Sequence, residues 1–456
     1  MNPSADAPNP VHQAGAVNPD LMKKARFWNS PPVITFVALV VRLIFVGVLY
    51  RNTWNDFRDH LLFGFESGRI ARSLATGHGY SDPFSIETGP TAWMTPIYPY
   101  LLAAVFKLFG VYSRTSALVM LSINGLFSSL VCVPLFFIAQ RTFGRNVAIL
   151  ACWTWALFPY SVYISSSFVW ETCLSVLLLT ILFHWTLKLR EASVSPRAWL
   201  GYGLLWGFAA MSNGTLLSLF PFLLLWAISP RWRLRKVWLV AALLAPLGVA
   251  IMLLPWEVRN YRTFHKFIPL RDNFWLEVWI GNDGYTESQS DDLPHPSINE
   301  SALEEYARQG EIAFMQERRK DSLSFIGHHP GFFGFMCLRR FFYMWTAFWN
   351  LDPANLAVEL HSPGNIFFTV CLTVLMLVGL LSSLQSDRET AIPYLIVLGV
   401  YPLVFYLTHP EIRYRHLIDP EIIILAAVGA RLLLLGRQAT PIARSLSKPD
   451  FSPLDS

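Results

Sequence analysis

Apolar residues in this chain come in long runs, not in alternation with polar ones. Residues 32–50, 116–139, 147–164, 168–187, 199–213, 214–229, 237–255, 364–384, 391–408 and 418–436 are each predominantly apolar. Several approach the ~20 residues a helix needs to cross a hydrocarbon core of about 30 Å. In lipid every backbone donor and acceptor must be satisfied internally, and the period-two pattern of a barrel is absent, so the runs predict about ten membrane-spanning helices. Shorter elements lie between them. GFESGRIARSLATG places Phe65, Ile70, Ala71 and Leu74 on one helical face, which predicts a helix lying in the membrane interface. The run 95–110 is short and follows a Pro-rich turn, so it reads as a re-entrant or tilted helix. Ser301-x-x-Glu304 predicts a capping box opening a polar helix to residue 324, and PGFFGFMCLRRFFYMWTAFW predicts a further interfacial helix.

Composition agrees with this reading: 53% of residues are hydrophobic and only 15% charged, which excludes an ordinary soluble chain. Five cysteines, Cys132, Cys152, Cys173, Cys337 and Cys371, show no paired spacing and read as packing residues. No finger, helix-turn-helix or basic aromatic platform points to nucleic acid. Residues 1–21 are polar and Pro/Asn-rich, and the first apolar run follows Lys23, Lys24 and Arg26, so it is expected to be a retained span and not a cleaved leader.

The distribution of charge orients the chain. With those three basic residues cytoplasmic, the links on that side carry Arg141 and Arg145, then Lys188, Arg190 and Arg197, then Arg231, Arg233, Arg235 and Lys236, then Arg388, and last Arg437 and Arg444. Excess Lys and Arg on one side is the positive-inside pattern. The opposite side receives two long loops, 51–115 and 256–363, and the hairpin HPEIRYRH at 409–416. The organisation expected is thus a cytoplasmic tail (1–31), a core of spans (32–255), an extracytoplasmic loop with interfacial helices (256–363), C-terminal spans (364–436) and a cytoplasmic tail (437–456).

On the extracytoplasmic side acids and arginines gather: Asp56, Asp59 and Glu66 after the first span, Arg259 and Asn260 after the seventh, and Arg413, Tyr414 and Arg415 before the last. Such a set suits a reaction in which a carboxylate takes a hydroxyl proton while cations hold a departing phosphate. Arginine is apt because its planar fork makes paired bonds to phosphate oxygens. Glu171, in FVWETCL, is a carboxylate at the edge of a span, where it is costly unless it lines a cavity. Arg42, in the middle of the first span, calls for an internal partner, and Asn213 is placed to cap the break between two spans. His328 and His329 invite a metal reading, but no carboxylates surround them in sequence.

FGFESGRIARSLATGHGYSDPF, GPTAWMTPIYPYLLAAVFKLFG, PWEVRNY, HPGFF and EIRYRHLIDP, in this order, resemble the integral-membrane GT-C glycosyltransferases. The resemblance is to the bacterial branch related to dolichyl-phosphate-mannose protein mannosyltransferases and to the lipid A aminoarabinose transferase. It implies an all-α polytopic fold in the cell membrane, the inner membrane of a bacterium. It further implies transfer of a hexose or pentose from a polyprenyl-phosphate donor to a lipid, glycan or protein acceptor on the extracytoplasmic face. Glu66 matches the family's base, with Asp56 and Asp59 next in order; Arg413 and Arg415, with Tyr414 between them, match its phosphate-binding segment, and Arg259 is a third cation. Many relatives carry an adjacent Asp-Glu pair where this chain has Phe65-Glu66. Glu171 and Asn260 are expected to shape the pocket. The scheme requires no cofactor; a divalent metal is compatible with it but unsupported by the residues.

Plainer readings stand beside these. Glu66 with Arg69 forms an i, i+3 surface pair, worth only ~0.3–0.5 kcal/mol. Asp56 and Asp59 are solvated loop charges, and Arg413 and Arg415 pair with Glu411 or with membrane-lipid headgroups. The rival function is a transporter or flippase of lipid-linked saccharides, which would favour inverted repeats that this sequence does not display.

Overall fold

The computed structural model describes residues 27–53, 63–191, 195–231, 234–282, 295–349, 353 and 364–436. Asp56, Asp59, residues 1–26 and the tail 437–456 lie outside these residues. Seven of the described helices are long and apolar enough to cross a membrane, eight if the bent pair Arg145–Leu157 and Pro159–Ser167 counts as one span. Two more apolar helices, Pro196–Ser212 and Asp419–Leu435, have 17 residues each. These ten elements stand where the ten apolar runs lie, and the chain is a multi-pass membrane protein. Among the described residues the β-structure is an isolated bridge between Ser81 and Pro90.

The bend at Phe158 explains the arginine inside the first span. Pro159 has no N–H to give to the carbonyl of Trp155, so a helix crossing this point loses a bond. Arg42 is fully buried and donates to the carbonyls of Ala156 (3.1 Å) and Trp155 (3.4 Å), and to the hydroxyls of Ser128 (2.9 Å) and Ser161 (3.1 Å). The cation is satisfied by two serine hydroxyls and by carbonyls at the end of helix Arg145–Leu157, of which that of Trp155 also accepts from the Ser161 hydroxyl at 2.8 Å. Helices Ile366–Ser386 and Asp419–Leu435 cross where Gly379 and Gly429 let each backbone approach the carbonyls of Leu425 and Leu375. Toward the basic links, Arg190 pairs with Glu389 and lies 4.3 Å over the Trp226 ring.

The first long loop contains the expected helix, Phe65–Thr76, with Ile70 and Ala71 fully buried. The segment after it is folded around Asp82, whose carboxylate accepts from the backbone of Thr88 and Gly89 (2.8 Å each) and from the hydroxyls of Ser81 (2.7 Å) and Ser73 (3.1 Å). Burial works against this charge, yet the hydrogen bonds hold its pKa below the ordinary carboxylate value. The following apolar helix, Ile97–Phe109, has 13 residues. At 1.5 Å per residue it spans roughly 20 Å, too little for a full crossing.

The second long loop departs from expectation in three places. The polar helix is two helices, Glu300–Gln309 and Glu311–His328, broken at Gly310, whose φ of 80° no helix continues through. Its cap is Asn299 and not Ser301: the Asn299 side chain accepts from the Ala302 N–H at 3.0 Å, and Ser301 falls inside the first turn. The seventh span does not stop at residue 255 either. Helix Arg235–Phe264 runs through Pro255 and ends at His265 in the left-handed region, so PWEVRNY is helical. The aromatic segment forms helix Pro330–Thr346 and is not among the helices long and apolar enough to cross.

The two loops pack together through Phe84 and Trp93 of the first and Leu276, Ile280, Tyr306 and Phe314 of the second. Glu311 reinforces this contact, accepting from the Ala92 N–H at 2.6 Å, the Tyr306 hydroxyl at 2.6 Å and the Thr91 hydroxyl.

Candidate active site

A cavity of about 610 Å³ opens where both long loops, the 213–218 break and the 404–414 hairpin converge. Glu66, Glu171, Arg413 and Tyr414 line it together. Glu66 sits in the first turn of helix Phe65–Thr76, just after Gly64 turns the chain at φ 66°. Its Oε1 accepts from the Ser297 hydroxyl at 2.7 Å and lies 3.6 Å from His295 Nε2. The Ser297 N–H donates to His295 Nδ1 at 3.0 Å, so Nδ1 serves as an acceptor and the ring proton sits on Nε2, toward Glu66. Trp93 holds this imidazole edge-on, with centroids 5.4 Å apart.

Opposite stands the hairpin. The Arg413 guanidinium lies 4.0 Å over the Trp170 ring, which is itself stacked on Phe168 at 4.5 Å. Its Nη2 reaches Glu411 Oε2 at 2.9 Å and donates to the Tyr414 hydroxyl at 3.2 Å. Burial alone would favour loss of its proton, but the carboxylate of Glu411 raises its pKa, so the charge is permanent. Tyr414 stacks on Phe405, with ring centroids 4.6 Å apart and planes 12° from parallel.

Between these poles stands Glu277, on helix Phe274–Gly281. Its Oε1 accepts from Asn273 (2.9 Å) and Arg271 (3.3 Å), and its Oε2 lies 3.6 Å from His409 Nδ1. Burial raises its pKa, but Coulombic interaction with His409, Arg271, His295 and Arg413 outweighs that and holds it below the ordinary value. Glu171, just before helix Thr172–Glu191, receives the side-chain amide of Asn213 at 3.5 Å. Asn213 meanwhile caps the 214–219 turn by accepting from Thr215 N at 3.1 Å, as its place in the sequence led one to expect.

The remaining sequence candidates lie elsewhere. Arg415 is buried against Asp419 (3.4 Å) and the carbonyl of Thr369 (3.4 Å), beside His416, which pairs with the same Asp419 at 2.8 Å. Neighbours in sequence, Arg413 and Arg415 point to opposite sides of a single helical turn, one into the cavity and one into the helix bundle. Arg259 donates to the carbonyls of Thr91 (2.6 Å) and Tyr80 (2.7 Å) and lies 5.0 Å from the Trp256 ring centroid. Asn260 is buried, donating to Ile268 O at 2.8 Å. None of these three lines the cavity: Arg259 ties the long helix to the first loop, Asn260 ties that helix to the segment following it, and Arg415 ties the hairpin to helix Ile366–Ser386 and the last span. His328 is exposed, with Nδ1 2.7 Å from Ser324 O. Among the described residues no three His, Cys, Asp or Glu side chains are grouped to hold a metal.

Residues 93–256 match the family model of dolichyl-phosphate-mannose-protein mannosyltransferase. Among curated proteins none matches the sequence. Among solved structures, the oligosaccharyltransferase of Archaeoglobus fulgidus in complex with Zn and sulfate superposes with a TM-score of 0.50 at 15% identity, over 87% of this chain and 49% of that one. The archaeal oligosaccharyltransferase AglB from the same organism, with an inhibitory peptide and a dolichol-phosphate, gives 0.50 at 13% identity over 90% and 50%. The chain has the GT-C fold. It spans about half the length of the oligosaccharyltransferases it matches. ArnT from Cupriavidus metallidurans bound to undecaprenyl phosphate is similar at a TM-score of 0.37 and 15% identity, over 87% of this chain and 77% of that one.

Three residues of this GT-C cavity escaped the sequence reading: His295, Glu277 and His409. Their signal is faint because each lies in a loop or in a helix of eight residues, where no periodicity marks a side chain as facing anything.

Proposed function

We propose that this chain is a membrane glycosyltransferase that moves a sugar from a polyprenyl-phosphate carrier to an acceptor on the extracytoplasmic face. The observation that carries the reading is the meeting of Glu66 with the Arg413–Tyr414 pair in one cavity bordered by apolar residues. The match over 93–256 and the shared fold support it. A protein of this fold solved with a dolichol-phosphate and an inhibitory peptide is consistent with a lipid-phosphate donor and a macromolecular acceptor.

The reaction is a single displacement. The acceptor oxygen or nitrogen attacks the anomeric carbon, and the bond from that carbon to the phosphate oxygen breaks with its electron pair going to the phosphate. Glu66 takes the acceptor proton, a role for which Asp56 and then Asp59 are the next candidates. Arg413 and Tyr414 hold the departing prenyl phosphate, where charge builds up in the transition state. Arg413 supplies the positive charge, so the scheme balances without a metal.

The test is transfer by purified protein in detergent with polyprenyl-phosphate-linked sugars. Glu66→Gln should lower turnover roughly 10²- to 10⁴-fold, the usual contribution of a general base. Should Glu66→Gln and Asp56→Asn both leave transfer intact, the base lies elsewhere. Vectorial movement of a lipid-linked saccharide in liposomes without any transfer would replace the enzyme reading by a carrier.

A further inference from the structure

The hairpin and helix Phe274–Gly281 hold a chain of polar contacts that the displacement scheme does not use. Glu277 Oε2 lies 3.6 Å from His409 Nδ1, His409 Nε2 is 3.1 Å from the Tyr414 hydroxyl, and Arg413 Nη2 donates to that hydroxyl at 3.2 Å. His409 is over nine-tenths buried, and its Nδ1 has no hydrogen-bond partner within reach. The two carrying elements are locked to one another. Arg340 donates to Gly281 O, to Asn282 Oδ1 at 3.1 Å, and to the carbonyls of Tyr406 (3.2 Å) and Leu407 (3.3 Å). Gly281 presses so closely on Thr408 O that no side chain fits between. The spacing of Glu277 and His409 is therefore a property of the fold and not of two free side chains.

The protons in this chain obey a constraint. A carboxylate facing Nδ1 favours a proton there. A neutral His409 then has a bare Nε2, which accepts the hydrogen bond of the Tyr414 O–H, and the tyrosine oxygen is left accepting from Arg413. A phosphate oxygen only accepts, so in that state Tyr414 offers it nothing. If His409 carries protons on both nitrogens, Nε2 donates to the tyrosine oxygen and the Tyr414 O–H turns outward as a donor. The neutral alternative, with the proton on Nε2 alone, sets a lone pair against the Glu277 carboxylate.

We propose that His409, held by Glu277, is a positioning residue that takes up a proton when the carrier phosphate binds and thereby turns Tyr414 into a donor to that phosphate. Glu277 faces His409 directly; Arg271, Arg413 and the imidazole of His295 act on that carboxylate, Glu411 pairs with Arg413, and the Arg340 cation lies against both carrying elements. The carboxylates favour the added proton, and the arginines oppose it until the phosphate offsets their charge. This inference rests on the reading of Arg413 and Tyr414 as the phosphate clamp.

The probe is a polyprenyl phosphate methyl diester, which keeps one negative charge from pH 5 to 9, so any pH dependence belongs to the protein. Calorimetry in detergent, in two buffers of different ionisation enthalpy, gives affinity and protons taken up. Wild type is expected to bind about tenfold more tightly at pH 5.5 than at pH 8.5, with net proton uptake. His409→Gln, whose amide donates to Tyr414 at every pH, should bind without pH dependence or uptake at close to the acidic affinity. Tyr414→Phe should lose the acidic gain alone. Glu277→Gln should move the transition to lower pH. Binding that is tight, lost in Arg413→Ala, yet independent of pH in wild type would overturn the inference and leave the proposed function standing. Absence of binding at every pH, or binding indifferent to Arg413→Ala, would overturn the phosphate-clamp reading itself. A uniform loss in all variants, with lowered thermal stability, would mark the chain of contacts as structural and likewise overturn the inference.

Discussion

Arg413 and Arg415 stand two residues apart in one short motif and have different consequences. Arg413 lines the cavity, stacked on Trp170, and its charge is locked on by Glu411. Under the proposed function, replacing it with Ala removes charged hydrogen bonds to the phosphate worth about 1.5–3 kcal/mol, so donor affinity should fall roughly 10- to 100-fold while folding is little changed. Arg415 faces Asp419 in the bundle, with both side chains almost wholly buried. Arg415→Ala leaves that carboxylate with one partner fewer in a buried site and should destabilise the protein by about 3–5 kcal/mol. Thermal unfolding and donor titration of the two variants separate these outcomes; equal behaviour in both assays would contradict the division. Nothing in the string RYR distinguishes its two arginines, because their roles depend on which neighbours the hairpin brings to each side.

At the scale of elements, the cavity depends on clamps between segments distant in sequence. Arg259 joins the long helix to the first loop, Glu311 joins the first loop to the second, and Arg340 joins helix Phe274–Gly281 to the end of the 403–407 helix. Gly281→Ala tests the last of these, since an added methyl meets the Thr408 carbonyl. Overpacking of this kind costs about 1–3 kcal/mol and should displace His409 from Glu277. The expected readout is a loss of transfer larger than the loss of stability, whereas Gly327→Ala, with open space around it, should change neither. The helix at 65–76 was legible because its apolar positions recur at helical spacing. The break at Gly310 and the cap at Asn299 were not, because a capping-box pattern and a capping asparagine two residues earlier compete for one helix start.

Across the whole molecule, pH acts on the joint between the two long loops. Burial pushes the carboxyl of Asp272 well above its ordinary pKa, and the charge of Glu311 pushes it further; Glu311 is also raised, chiefly by burial. The pair retains a proton that the unfolded chain gives up near pH 4. A folded-state pKa above the unfolded one contributes stability at low pH, and that contribution is lost as pH rises toward the folded value. The melting temperature should therefore fall as pH is raised from the unfolded carboxylate range toward the raised folded value, and Asp272→Asn should flatten this slope. An unchanged slope in that variant would place the pH dependence in other groups. Glu277 acts in the opposite sense: its lowered pKa gives stability above the unfolded carboxylate range that is lost as pH falls through the folded value.

The sequence by itself determined that the chain is a bundle of apolar helices in a membrane and roughly where each helix runs. Hydrophobic length is a local quantity, and lipid leaves the backbone few alternatives. It also picked out Glu66, Glu171, Arg413 and Tyr414, since charged groups beside apolar runs are costly and conspicuous. Only the tertiary structure decided that these four share a cavity, that Arg259, Asn260 and Arg415 serve as ties, and that Glu277, His295 and His409 join the site. Those distinctions depend on which carbonyl or carboxylate from a remote segment lies within about 3 Å of each side chain, a distance that no local pattern encodes.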